Sequence, residues 1–361
     1  MAKTEIFIMT HKKFDPPKIE GYVPLQVGRA LNDDLGYMDD ASGENISDLN
    51  PYYGELTGLF WLWQNYHDCE NIGICHYRRY FTNKEKRIMT IAEYESLLRN
   101  NDIISSFAVN EEPYRESYAK VHNIKDLMAM RDSVAKLYPE DVQAFDDMLD
   151  AKRISFGNLF VTKKEIFDAY CEWLFTIFTD MGDRIDLSGY DAYHKRLFGF
   201  LSETMIPVFA QTRGLKVAEC KVSIVAEKAE TVELKKAVSV LVKERRIKEA
   251  ADMYVAFVKL RPDVLLEHSD LKHEIPLIEV IISTLMDEKK ASSPVSLYDV
   301  SDDMDELFRF LKAYNSILLE GKCDIKAAES EKELVSRYTV SEQLKRNMDI
   351  YNEEYVRAYV R

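Results

Sequence analysis

The chain has 361 residues, enough for about two domains, and its 46% hydrophobic and 11% aromatic content can fill packed cores, which excludes global disorder. A net charge of −14 argues against a nucleic-acid partner, and no apolar run is long enough for a spanning helix. The five cysteines, Cys69, Cys75, Cys171, Cys220 and Cys323, are scattered and odd in number, as expected of reduced thiols, and the N-terminus lacks signal-peptide features, so a cytoplasmic chain is expected.

Glu5–Met9 reads as a short strand that opens onto the polar Thr10, His11 and Lys12. Side chains at the C-terminal end of a strand in an open α/β sheet line the ligand crevice, so Thr10 and His11 are candidates for nucleotide contact. A Gly- and Asn-rich loop follows with two acidic pairs, Asp33-Asp34 and Asp39-Asp40, then Asn45. Such carboxylates either hold a divalent ion or sugar hydroxyls, or do turn work. Asn50-Pro51 has the form of an N-cap with proline at the first helical position, and Tyr53, Leu56, Phe60 and Trp63 continue at helical spacing.

Residues 71–81 read NIGICHYRRYF, an apolar strand that ends in His76, Tyr77, Arg78, Arg79 and Tyr80. Paired guanidiniums bind phosphate through charge-assisted, bidentate hydrogen bonds. The alternative for the same residues is a solvated strand end with structural ion pairs. Further on, Thr90–Glu93 fits a capping box, Asp102–Ser105 a strand, 123–137 and 140–150 helices, Phe156–Val161 a strand and 163–180 a helix. His122 precedes one of these helices, where a histidine is usually a cap or surface residue. Glu203 lies among apolar residues in RLFGFLSE, and burial there would raise its pKa toward that of a general base. Alternation of strands and helices predicts an α/β sheet with helices on both faces.

Twelve of the 13 glycines and all three tryptophans precede residue 215. Beyond it, Glu, Lys, Leu and Ala dominate, so a helical second domain is expected, with domains at 1–226 and 227–361. Leu234, Val238, Leu241 and Val242 form one stripe, and Ala250, Tyr254, Phe257 and Val258 a second, as in a single tetratricopeptide-type hairpin. More helices are expected at 274–287, 303–319 and 341–359. In the last, Leu344, Met348, Tyr351, Tyr355 and Tyr359 share a face, which serves either an internal core or a partner.

The strings THKKFDPP, YVPLQVGRAL, DLGYMDDASGENIS, NPYYGELTGLFWLWQN, NIGICHYRRYF and RLFGFLSE, in this order over about residues 4–226, resemble a bacterial family of glycosyltransferases from capsular and exopolysaccharide gene clusters, formerly catalogued as a domain of unknown function. Some of its members are described as galactofuranosyltransferases. The resemblance implies a GT-A-like nucleotide-sugar-binding domain that transfers galactofuranose or galactose from a UDP-sugar to a glycan or lipid-linked glycan, with inversion. It places HYRR where ordinary GT-A enzymes keep a metal-binding acidic pair. Two guanidiniums and an imidazolium could then stabilise the leaving diphosphate without a metal, with manganese or magnesium as the alternative.

On this reading Arg78, Arg79, His76, Thr10 and His11 bind the donor, and Asn45, Asn50, Tyr53 and Glu55 shape its pocket. Glu203 is the first candidate for the base, with Asp40 and His122 behind it. The chain has Thr204 where Ser-Glu-Arg is expected, and only His122 where relatives carry more histidines. The helical region is expected to orient the enzyme at the inner membrane face or to self-associate. Two other classes fit the same residues: a nucleotide-sugar hydrolase or phosphotransferase, and a non-catalytic scaffold built on a degenerate transferase domain.

Overall fold

The computed structural model describes residues 3–182, 184–265, 269–321 and 326–353. The chain forms two compact units, residues 1–225 and 226–361. The first begins β1 (Thr4–Thr10), β2 (Tyr22–Gln26), β3 (Met38–Asp39), α1 (Asn50–Tyr53), α2 (Leu56–Asn65), β4 (Asn71–His76) and β5 (Arg79–Thr82). It continues through α3 (Ile91–Leu98), β6 (Ile103–Ser105), β7 (Ala108–Val109), α4 (Tyr114–Val121), α5 (Ile124–Leu137) and α6 (Val142–Asp150). It closes with β8 (Arg153–Ile154), β9 (Phe160–Lys163), α7 (Lys164–Gly182), α8 (Leu197–Ser202), α9 (Met205–Thr212), β10 (Val217–Glu219) and β11 (Lys221–Ile224).

The main sheet runs β10-β6-β9-β4-β1-β2-β3, and only β9 is antiparallel to its neighbours along that path. Residues of β1 alternate between two cores, as a period of two requires. Phe7 and Met9 pack with α2 and α7, and Ile6 and Ile8 with Tyr94 of α3 and Phe81 of β5. Burial on both faces identifies β1 as a central strand. Gly73 in β4 is required by that packing: a Cβ there would lie 2.4 Å from Ile6 Cδ1 and 2.8 Å from Val161 Cγ2.

Three local expectations change. The helix expected from Asn50 onward breaks at Gly54, which adopts φ 56°, so Asn50 opens a four-residue helix rather than capping a long one. The strand expected at Phe156–Val161 starts only at Phe160, because Gly157 (φ 80°) and Asn158 (φ 52°) turn the chain just before it. β4 does not run out into a loop. It turns at Tyr77-Arg78 and returns as β5, which pairs with β11. The capping box does form: the Glu93 carboxylate accepts from the Thr90 N–H at 2.7 Å, ahead of α3.

The second unit is helical: α10 (Ala229–Lys243), α11 (Ile247–Leu260), α12 (Ile275–Ala291), α13 (Met304–Leu319), α14 (Glu329–Ser336) and α15 (Glu342–Tyr351). Leu234, Val238, Val242, Ala250 and Tyr254 are buried with α12 and α13. Leu344 and Met348 are buried in the same core, against which Tyr351 packs, so this part of the last stripe serves the unit's own interior. Tyr355, Tyr359 and Cys323 lie outside the described residues. No helix among the described residues is long and apolar enough to cross a membrane.

Candidate active site

The register brings the C-terminal ends of β1, β4 and β6 and the N-terminal end of β9 to one edge of the sheet, since Met9 pairs with His76 and Ser105 with Phe160. Ser106 exchanges hydrogen bonds with the Phe156 backbone, and Ser105 Oγ lies 2.7 Å from Ser155 Oγ. These contacts hold the segment before β9 against β6. The Phe156 ring lies under the Arg79 guanidinium at 5.1 Å. A side chain at Gly157 would come within 3.2 Å of the same guanidinium, so this glycine also keeps space for the arginine.

Glu55 stands at the centre. It occupies the break between α1 and α2, where Gly54 redirects the chain, and its side chain is 11% exposed. Its carboxylate accepts from Asn158 Nδ2 at 2.8 Å, lies 3.8 Å from Arg196 and 4.0 Å from His76 Nε2. Asn158 also donates to the Gly199 carbonyl of α8 at 3.2 Å. Three distant segments therefore meet on one carboxylate. Burial pushes Glu55 toward its neutral form, but the charges it faces and the Asn158 amide outweigh this and hold it below the usual carboxylate range.

Glu203, which caps α8, has the opposite environment. Burial raises its pKa to about 7, with Glu55 adding to the rise and Arg79 and Arg196 opposing it. Two carboxylates pushed apart in this way are a recurrent arrangement for acid–base chemistry. His76 departs from expectation. Burial, joined by Arg79, Arg78 and Arg196 and opposed by Glu55, lowers its pKa to about 4. At neutral pH it is an imidazole, not the imidazolium expected beside the two arginines, and the third cation at the edge is Arg196. His76 Nε2 and Arg79 Nε are buried without a hydrogen-bond partner. Orphaned buried polar atoms are costly, and sites for polar ligands keep them.

Other expected site residues have different work. Asp40 is fully buried, and its oxygens accept from the Gly28 and Arg29 N–H groups (2.8 and 3.0 Å) and from Ser47 Oγ (2.5 Å). It clamps a loop and has no oxygen left to serve as a base. Asp34 and Asp39 accept from the backbone two residues on, which is turn work. Asn45 spends its amide on the Ala41 and Gly43 carbonyls and the Ser47 N–H, a loop role rather than a donor contact. Asn50 donates to the Gly54 carbonyl and Thr57 Oγ1, which holds the helix break that presents Glu55.

Tyr53 stacks on Phe198 of α8 at 4.4 Å and reaches Phe178, so it fixes α1 to α8 instead of lining a pocket. Thr10 Oγ bonds both ways with Lys12, shaping the turn that carries the exposed His11, whose ring meets Tyr77 edge-on at 5.7 Å. His122 packs among aromatic rings, and burial lowers its pKa to about 4. Asn158 and Arg196 were not singled out by sequence reasoning. Arg196 opens the RLFGFLSE string and was open to notice; Asn158 carries no local signal beyond its Gly-Asn turn. Among the described residues no group of three or more His, Cys, Asp or Glu is arranged to hold a metal ion.

Residues 5–214 match the family described as Domain of unknown function (DUF4422). The chain belongs to this family. No curated protein sequence matches it. Among solved structures, the DUF4422 chain is similar to the apo structure of WbbM, a bifunctional glycosyltransferase, at 28% identity and a TM-score of 0.56, over 62% of this chain and 45% of WbbM. It thus spans less than half of that protein. Core-mannan synthase A (CmsA/Ktr4) from Aspergillus fumigatus, in a Mn/GDP form, matches 63% of the chain and 76% of its own at 10% identity, with a TM-score of 0.27, too loose a superposition to bear on the site. The fold of the DUF4422 chain is α/β and GT-A-like, followed by a helical C-terminal region.

Proposed function

We propose that the chain is a glycosyltransferase that moves a hexosyl group, galactofuranose or galactose, from a UDP-sugar to a hydroxyl of a surface-polysaccharide acceptor with inversion. The observation that carries this reading is the pair Glu55 and Glu203, shifted in opposite directions beside the Arg78-Arg79 turn at the strand edge. The likeness to a glycosyltransferase supports it. In the step, the acceptor oxygen bonds to the anomeric carbon while the bond from that carbon to the diphosphate oxygen breaks. The electron pair of the broken bond leaves on UDP, and the acceptor proton passes to Glu203.

Arg78, Arg79 and Arg196 supply fixed positive charge where the diphosphate gains negative charge, which is where preorganised charge accelerates a reaction most. Glu55 orients Asn158 and Arg196, and the neutral His76 offers a hydrogen bond to a phosphate or sugar hydroxyl. Three guanidiniums at this edge make transfer independent of a metal. On the same reading the enzyme works in the cytoplasm at the inner membrane face, and the helical unit orients it there or pairs it with a second copy.

A thermal-shift series with UDP, GDP, CMP and their sugars tests the donor, because a ligand of the folded state raises its melting temperature by mass action. UDP and UDP-galactose or UDP-galactofuranose should stabilise most, and transfer should survive EDTA. Loss of transfer in EDTA with recovery in manganese would refute the metal-free mechanism. Equal indifference to every nucleotide would favour a scaffold.

A further inference from the structure

Glu203 has two kinds of neighbour. On one side lie Arg79, Arg196 and Glu55, the groups assigned to the donor. On the other, Glu203 acts electrostatically on Tyr114 and Tyr118 of α4, and Tyr118 keeps a buried hydroxyl without a hydrogen-bond partner. Phe200 sits three residues before Glu203, which in a helix places both on one face. Around Phe200 a cluster of partly buried rings has formed. His122, just past the end of α4, lies 4.4 Å from Phe200 and 6.0 Å from Tyr193, nearly parallel to the latter at 15°. Tyr193 lies 5.0 Å from Phe200, and the Arg196 guanidinium 5.8 Å from the Phe200 ring.

This cluster is held rigidly. His194 places Nδ1 on Asp191 at 2.8 Å and Nε2 on the Val121 carbonyl at 3.1 Å, which fastens the segment before α8 to the end of α4. A polar rim adjoins it, where Asn123 donates to Tyr190 Oη at 2.8 Å and Tyr190 donates to Asp126 at 2.8 Å. A general base must lie within hydrogen-bond reach of the proton that it takes. The acceptor must therefore bind beside Glu203, and the α8 face that Glu203 shares with Phe200 carries an aromatic cluster with a hydrogen-bonding border, with Arg196 between it and the donor groups. An alkyl chain would need a continuous apolar groove, and an anionic lipid headgroup more cations. Aromatic faces flanked by a few placed polar groups suit a sugar ring, which has an apolar C–H face and a hydroxyl edge.

We propose that the partly buried rings of His122, Tyr193 and Phe200 form the acceptor subsite, which takes the apolar face of a terminal hexopyranose on their accessible edges and presents one of its hydroxyls to Glu203. The inference rests on the transferase reading and gives His122 a place in a platform instead of a base's role.

Saturation-transfer NMR on the full chain tests it, with octyl hexopyranosides of galacto, gluco and manno configuration kept below micelle formation, and with UDP binding measured in parallel. Saturation should fall on ring protons of at least one configuration. Tyr193→Ala should weaken that binding about tenfold, the worth of one aromatic contact, while Tyr193→Phe preserves it. UDP should bind all three proteins alike. If Tyr193→Ala unfolds early, Phe200→Leu carries the same expectation, because it keeps an apolar side chain and removes the ring. Saturation confined to the octyl chain, no pyranoside binding, or binding indifferent to both substitutions would overturn the proposal. Failure of UDP alone, with pyranoside binding still dependent on Tyr193, would instead remove the donor reading and leave a sugar subsite.

Discussion

Each unit buries a cluster of charges, and the two clusters are built differently. In the helical unit, Lys235 of α10 reaches Glu227 at 2.7 Å, Asp270 at 2.8 Å and Glu274 at 2.9 Å, and Lys312 of α13 takes the other Glu274 oxygen at 2.9 Å. Asp270 also accepts from the Ile275 N–H, and Glu227 from the Lys272 N–H. Each carboxylate of the cluster has an ammonium within 2.9 Å, and its carboxylates serve the packing of α10, α12 and α13. At the strand edge of the first unit, Glu55 meets the Arg196 guanidinium only at 3.8 Å and the neutral His76 ring at 4.0 Å, two side-chain nitrogens are orphaned, and Glu203 holds a proton near neutrality. A closed network stabilises; an open one of this kind waits for a ligand.

Substitution should separate the two clusters. Among substitutions that leave the base in place, the largest effect is expected for Arg79→Ala, which removes a cation aimed at the leaving group. Transfer should fall on the order of 10²–10³-fold in kcat, with little change in melting, as measured by steady-state kinetics and calorimetry. Lys235→Met should do the reverse. Stranding buried carboxylates costs about 3–5 kcal/mol, so denaturant titration should show the helical unit unfolding early, with kcat of the folded protein unchanged. Asn158→Ala lies between: it frees Glu55 from its amide donor and loosens α8. About a tenfold to 10²-fold loss of kcat is expected from misplacement of the groups that Glu55 orients.

The smallest effect is on stability against pH. Glu203 titrates near 7 when folded and near the usual carboxylate value of 4.5 when unfolded. Between those values the folded state binds the extra proton, so this group's contribution to stability falls as pH rises from about 4.5 to 7 and is level above. Glu203→Gln should therefore melt higher than wild type above pH 7, by about 2–4 °C per kcal/mol recovered, and match it near pH 4. A melting difference independent of pH would place Glu203 outside this account.

The same contrast explains what could be read in advance. β1 and β4 announced themselves as apolar runs, and α7, α12 and α13 as long amphipathic segments, because burial of such stretches is decided locally. The short strands β2, β3, β5 and β11 did not stand out. Nor did α14, whose sequence ESEKELVS buries no residue. At the site, Arg78 and Arg79 were conspicuous because cations follow an apolar strand directly. The Glu55 hub was not, since Asn158 lies 103 residues and Arg196 lies 141 residues away from it along the chain, and only the sheet brings them together. Asp40 misled for a physical reason: in a glycine-rich loop the nearest partners of a carboxylate are the unpaired N–H groups of the loop itself.

The central claim is that Glu203 removes the proton of the acceptor hydroxyl. Its most direct test is the pH dependence of kcat/KM for transfer from a UDP-sugar, in wild type and in Glu203→Gln. Wild type should lose activity as pH falls through about 7, where Glu203 takes up its proton. The variant should retain on the order of 10⁻²–10⁻⁴ of the activity with that limb gone. A variant that keeps near-normal turnover, or the same acidic limb, would contradict it.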